Sequence, residues 1–239
     1  MNTSKIRKIL VGLLVLGALS AALSTGTFAT FNATTTNDAT IQTGTLILGN
    51  NVNAQANDCL SAQGGGGLTT NSNACAALWN VTNRGGASGN LGNQDIRLEN
   101  LGTVNASTFS MYTNGCTNGS NATTINGTAY TGTGNLCTNL QFFIAQTASD
   151  YTTVTNCIYG NAAGTGAAGG LNGCDFTAAD TLNGFTSTHN GSGSALSLGS
   201  LNAGGGNAKY FVLGLYTPDM NNSFQGRSAT TTFTWTIAE

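Results

Sequence analysis

Thr230-Thr231-Thr232-Phe233-Thr234-Trp235-Thr236-Ile237 closes the chain with a strict two-residue alternation. Phe233, Trp235 and Ile237 point one way and the threonines the other, the signature of a strand with one face in a core and one in water. Working back, Lys209-Tyr210-Phe211-Val212-Leu213-Gly214-Leu215-Tyr216 is apolar on both faces, as a central strand is. Leu140-Gln141-Phe142-Phe143-Ile144-Ala145, Ser107-Thr108-Phe109-Ser110-Met111-Tyr112 and Asp95-Ile96-Arg97-Leu98-Glu99-Asn100 add strands, the last with Ile96 and Leu98 inward. Ala76-Ala77-Leu78-Trp79-Asn80-Val81 and Thr45 to Leu48 read as two more. Outside the first residues no 3.6-residue pattern persists, although Asp175 to Leu182 has room for one helical turn. The reading is all-β: a jelly-roll-like β-sandwich with long loops.

The loops account for the composition. The chain has 34 glycines, one proline and only 7% charged residues, against about 25% in an ordinary domain. Polarity comes from Thr, Asn, Ser and Gly, which suit strands and tight turns. A hydrophobic share of 40%, placed in alternating runs, is too high for a disordered chain.

Met1 to Ala29 reads as an export signal, with Lys5, Arg7 and Lys8 before the apolar run Ile9 to Leu23. That run is shorter than the roughly 20 residues of a membrane span. Thr27-Phe28-Ala29 places small residues at −3 and −1 of a cleavage site. The competing reading is an uncleaved anchor or a pilin helix, but no glycine follows Lys8 to mark a pilin cut. The expected organisation is residues 1–29 as signal, 30–40 as an N-terminal segment and 41–239 as the sandwich, in a secreted, extracellular protein. After cleavage Arg84, Arg97, Lys209 and Arg227 face nine acids, a net charge of −5. Such a surface disfavours nucleic acid and anionic membranes.

Six cysteines follow the signal: Cys59, Cys75, Cys116, Cys137, Cys157 and Cys174. An even number in an exported chain points to disulfides. Neighbour pairing is the simplest: Cys59–Cys75, Cys116–Cys137 and Cys157–Cys174, each bracketing a Gly/Asn-rich loop. Closing such a loop stabilises by roughly 3 kcal/mol in the chain-entropy model. With no Cys-x-x-Cys and a single histidine, His189, the sequence calls for no metal and no other cofactor.

Two segments carry a resemblance. Phe28-Ala29-Thr30-Phe31-Asn32 followed by Asp38-Ala39-Thr40-Ile41-Gln42-Thr43-Gly44-Thr45-Leu46-Ile47-Leu48, and Asn221 to Trp235 at the other end, resemble TasA/camelysin-type secreted proteins, whose signals are read by a SipW-type peptidase. The resemblance implies a jelly-roll subunit of an extracellular biofilm fibre, assembled head-to-tail with copies of itself, alongside other matrix or cell-surface components. It also implies that the mature N-terminus is a donor strand: Thr30, Phe31, Asn32, Ala33, Thr34, Thr35, Thr36 and Asn37. These residues lack charge, glycine and proline, and Phe31, Ala33 and Thr35 line one face. Strand addition supplies main-chain hydrogen bonds, and alternate side chains fill pockets. A head-to-tail contact propagates instead of closing. The alternative is that the segment pairs with its own sheet.

Catalysis finds no footing. Some members of that family carry a metalloprotease label, but a zinc protease needs about three ligands and a base, and this chain has one histidine. No nucleophile motif accompanies His189. The nine acids are scattered along the sequence, with no signal of a glycosidase pair. The expectation is a non-enzymatic structural subunit. The rival is a monomeric cell-surface adhesin or carbohydrate-binding sandwich, with Trp79 or a tyrosine stacking on sugar. Candidate N-glycosylation sequons begin at Asn32, Asn80, Asn105, Asn118, Asn121, Asn126, Asn190 and Asn221, with the Asn118–Thr128 loop expected to be the most exposed.

Overall fold

The computed structural model describes residues 45–56, 58–61, 77–79, 88–120, 123–125, 128–130, 132–167, 169–204, 206–218 and 221–239. The strands in chain order are β1 (Leu48–Val52), β2 (Cys59–Leu60), β3 (Gly89–Asn100), β4 (Thr108–Thr113), β5 (Thr117–Ser120), β6 (Thr123–Ile125) and β7 (Thr128–Tyr130). After helix α1 (Leu136–Asn139) come β8 (Gln141–Thr147) and β9 (Val154–Tyr159). Helix α2 (Leu182–Thr188) precedes β10 (Leu196–Ser197), β11 (Lys209–Thr217), β12 (Arg227–Thr230) and β13 (Phe233–Ala238).

These strands build a sandwich of antiparallel sheets. One has six strands in the order β2-β1-β3-β11-β8-β9, and the facing sheet has three, β10-β4-β13. The chain passes from sheet to sheet along β3, β4, β8, β10, β11 and β13, so most hairpins are replaced by crossings of the core. Strand β11 is paired on both sides, by β3 and β8, and its sequence is apolar on both faces because each face enters a cluster. Its inward residues Phe211 and Leu213 join Ile96, Leu98, Phe142 and Ile144 against Phe109 and Met111 of β4. All eight are fully buried, each worth about 1.5–3 kcal/mol of transfer free energy.

The outward face of the six-stranded sheet carries a second apolar cluster of Phe143, Ala145, Cys174, Phe176 and Val212. Gly214 lies under the Phe143 ring here: a Cβ at that position would collide with Cε1 of Phe143. The 160–176 loop closes over this face. It is ordered by its own backbone, with Asn161 and Asp175 exchanging N–H donations (2.9 and 3.1 Å) and Gly173 N donating to Gly164 O (2.9 Å). The Cys157–Cys174 disulfide ties the loop to β9, and Cys116–Cys137 ties β4's exit to α1. Cys59 is buried and is itself disulfide-bonded, and Cys75 lies outside the described residues.

Three elements differ from the sequence reading. The first strand runs Leu48–Val52, so only Leu48 of the expected Thr45–Leu48 run lies in it, while Thr45 and Ile47 bond through their carbonyls to the turn after β3. Residues 77–79 form no strand; Trp79 instead plugs the end of the sandwich by its side chain, Nε1 donating to Gly92 O at 2.8 Å. Its ring meets Phe142 and Phe233 edge-on, at 6.3 and 6.4 Å. The helical turn lies at Leu182–Thr188, after the expected position. Thr181 Oγ1 caps it by accepting from Gly184 N at 3.0 Å, while Asp175 is held in the bridge to Asn161. Leu182, Phe185 and Thr186 bury at helical spacing, too short a run to stand out among polar neighbours.

Candidate functional site

The two sheets differ in size, and among the described residues the smaller one ends at β13. Strand β13 pairs with β4 in unbroken register from Phe233↔Thr113 to Ala238↔Thr108. Both ends of the pair are pinned: Thr232 N donates to Asn114 Oδ1 (2.8 Å), and Thr108 Oγ1 donates to Ala238 O (3.4 Å). On its other side β13 has no strand neighbour among the described residues. An unpaired edge presents a row of N–H and C=O groups suited to another strand.

The remaining edges of the two sheets are blunted. Strands β2 and β10 have two residues each, and β9 shifts register twice against β8. Among the described edges, β13 alone offers six residues in one register. Phe233, Trp235 and Ile237 face the core yet stay half-buried, whereas Ile96, Leu98, Phe211 and Leu213 opposite are sealed. Phe233 stacks on Phe142 at 5.5 Å, and Trp235 meets Phe109 at 6.1 Å and Phe211 at 5.4 Å. The edge is therefore an apolar shelf bordered by unpaired backbone.

The expected donor segment, Thr30 to Asn37, lies outside the described residues, as do sequons Asn32, Asn80, Asn121 and Asn126. Asn105, Asn190 and Asn221 are exposed. Asn118 departs from expectation. Its Nδ2 donates to Gly134 O (3.3 Å) and its Oδ1 accepts from Leu136 N (3.0 Å), so it braces the start of α1 and is half-buried.

The acids are less scattered in space than in sequence. Arg97 Nη2 reaches both oxygens of Asp58 (3.0 and 2.9 Å) and Glu99 Oε1 (3.2 Å), and Asn51 Nδ2 donates to Asp58 Oδ1 (2.6 Å). Burial, then the hydrogen bond and charge of Asp58, push the Glu99 carboxyl above its ordinary value. Burial also works against ionised Asp58, but Asn51, Glu99 and Arg97 together hold its carboxyl below the ordinary value. Both carboxyls are engaged by the same Arg97 guanidinium nitrogen. The cluster is a clamp fastening the β1–β2 hairpin to β3. Sequence reasoning missed it because Asp58 and Glu99 are separated by the long β2–β3 connection.

The other described cations are likewise engaged by the fold. Lys209 Nζ donates to Leu198 O (2.6 Å), 5.4 Å above the Phe109 ring, and burial lowers its pKa. Arg227 Nη1 donates to Gly132 O (3.4 Å). His189 packs on Phe185 at 4.8 Å with Nδ1 3.0 Å from Ser194 O, so that nitrogen carries the proton. Among the described residues, no helix is long and apolar enough to cross a membrane. No protein-family model matches the chain, and no curated protein does.

Proposed function

We propose that this chain is a secreted, non-catalytic subunit of an extracellular filament, built head-to-tail from copies of itself. The observation that carries the reading is the edge of β13, which has no strand neighbour among the described residues and carries Phe233, Trp235 and Ile237 half-covered beside it. A strand laid there would add a fourth strand to the smaller sheet and seal the core. Thr30 to Asn37 has the needed chemistry: uncharged, β-favouring, and with Phe31, Ala33 and Thr35 on one face. When that segment comes from a neighbouring copy, each subunit fills one edge and offers another segment, and the chain of contacts stays open. The resemblance of both ends of the sequence to TasA/camelysin-type fibre subunits supports the same reading.

The adhesin alternative loses its main aromatic platform, because the Trp79 indole is spent on Gly92 O, Phe142 and Phe233. The test is deletion of Thr30–Asn37 from the exported protein. The variant is expected to fold, to make no filaments by negative-stain imaging, and to bind a synthetic peptide of that sequence. Normal filaments from the deletion variant would overturn the donor-strand assembly; dispersed particles from the intact protein would favour the adhesin.

A further inference from the structure

The segment 132–135 is held from two sides by residues of two sequons, and the two asparagines are placed oppositely. On one side Asn118 spends both ends of its amide, Nδ2 on Gly134 O and Oδ1 on Leu136 N. On the other side the 221–225 turn hydrogen-bonds the same segment through its main chain, with the Phe224 ring beside Gly134. Gly134 N donates to Ser223 O (2.6 Å) and Gly132 N to Gln225 O (2.8 Å). The side chain of Asn221 takes no part in that grip and is exposed.

Within Asn221-Asn222-Ser223 the third residue binds the first. Ser223 N and Ser223 Oγ both donate to Asn221 Oδ1, at 2.9 and 2.5 Å. Only an oxygen accepts from a backbone N–H, so this fixes the amide orientation and turns Nδ2 away from the serine. Two donors on Oδ1 also draw electron density from the amide, which makes an Nδ2 proton easier to lose. The other described sequons lack this arrangement. Asn105 Oδ1 accepts from Ala203 N (2.8 Å) while Ser107 Oγ donates to Ala238 O (3.5 Å). Asn190 is exposed, but Ser192 makes no hydrogen bond to its amide among the described residues.

We infer that Asn221 is a glycan acceptor, modified through Nδ2 by a lipid-linked sugar phosphate of the exporting cell, and that Asn118 is not. In that transfer Nδ2 attacks C1 of the sugar and the C1–O bond to phosphate breaks. The phosphate leaves with the electron pair and takes up the proton that Nδ2 gives up, so the products are the glycosylated amide and the protonated lipid phosphate. The product suits the fold, because a substituent on Nδ2 points to solvent and leaves every bond to segment 132–135 intact. At Asn118 the same substituent would displace the donation to Gly134 O and the start of α1, one residue before Cys137. The inference requires export but not polymerisation.

The experiment is glycopeptide mass spectrometry of the protein purified from the cells that secrete it, wild type and Ser223→Ala and Ser223→Thr. Peptides containing Asn221 are expected to carry saccharide in the wild type and in Ser223→Thr, with occupancy falling at least ten-fold in Ser223→Ala. Asn118 itself, localised within its peptide by fragmentation, is expected to be bare. An unmodified Asn221 in wild-type protein, equal occupancy in Ser223→Ala, or modification of Asn118 would each overturn the assignment. The same digest reports the N-terminal peptide, so a failure of export is read separately from a failure of modification.

Discussion

Trp235 and Phe211 meet across the two sheets with ring centroids 5.4 Å apart, yet Phe211 is fully buried and Trp235 is not. One contact thus joins the sealed centre of the six-stranded sheet to the open rim of the smaller one. Residues on that rim have two tasks, holding the isolated subunit together and receiving whatever lies beside β13.

Trp235→Ala separates these tasks. Fully buried aromatics cost about 3–5 kcal/mol on truncation to Ala, so a half-buried one should cost about 2–3 kcal/mol. Urea unfolding of the monomeric deletion variant measures that loss. Filament yield of the intact protein should fall much further than this shift alone explains. Equal losses in both measurements would mean the rim has no role beyond folding.

Phe31→Asp tests the donor face without touching the described core. A carboxylate buried in an apolar slot without a partner costs several kcal/mol, roughly the range of a lost large side chain or more. Filaments should be absent from Phe31→Asp preparations, with the circular dichroism of the subunit unchanged. Phe31→Leu should restore them. Normal assembly by the aspartate variant would place the donor elsewhere.

Gly214→Ala should destabilise the subunit by about 1–3 kcal/mol, the usual range for forced overpacking. The added methyl meets Phe143 Cε1, and the ring has Phe176 packed against it at 4.9 Å. Pairing the change with Phe143→Leu should recover much of the loss. A neutral Gly214→Ala would show that the ring has room to move.

The Cys157–Cys174 bond closes 17 residues of sequence, for which the chain-entropy model gives roughly 3 kcal/mol. Replacing both cysteines by alanine should lower the unfolding midpoint accordingly while leaving the 160–176 loop's amides protected from exchange, since that loop has its own backbone bonds. Loss of that protection would make the disulfide, not the hydrogen bonds, the source of its order.

The Asp58–Arg97–Glu99 clamp gives a signed pH dependence. The folded Glu99 pKa is raised, so its contribution is fully present below the unfolded value and is lost as pH rises through the folded one. Asp58 runs the other way: its pKa is lowered, and its contribution is lost as pH falls through the folded value. Glu99→Gln keeps a neutral donor beside Asp58 and removes the buried charge. Thermal melts should show this variant gaining more stability, relative to wild type, at pH 7 than at pH 4. A difference independent of pH would sink the account.

Much of this architecture is legible without coordinates. The alternation at Phe233, Trp235 and Ile237 and the two-faced apolar run at Phe211 to Leu215 follow from local geometry, since a strand turns successive side chains to opposite faces whatever it packs against. That residues 77–79 form no strand is not legible, because an apolar run looks alike whether its backbone pairs or only its side chain packs. The start of helix α2 is not legible either, because its cap, Thr181, is one threonine among many.

The amino acids alone settle the all-β class, the central and half-buried strands, and the side chains available for chemistry. Folding in three dimensions settles that β13 is last in its sheet among the described residues, that Asp58 and Glu99 share Arg97, and that Asn118 faces inward while Asn221 faces out. The difference is one of range. Alternation and turn chemistry act over a few residues, whereas an edge, an ion cluster or a free amide depends on which distant segments arrive beside it.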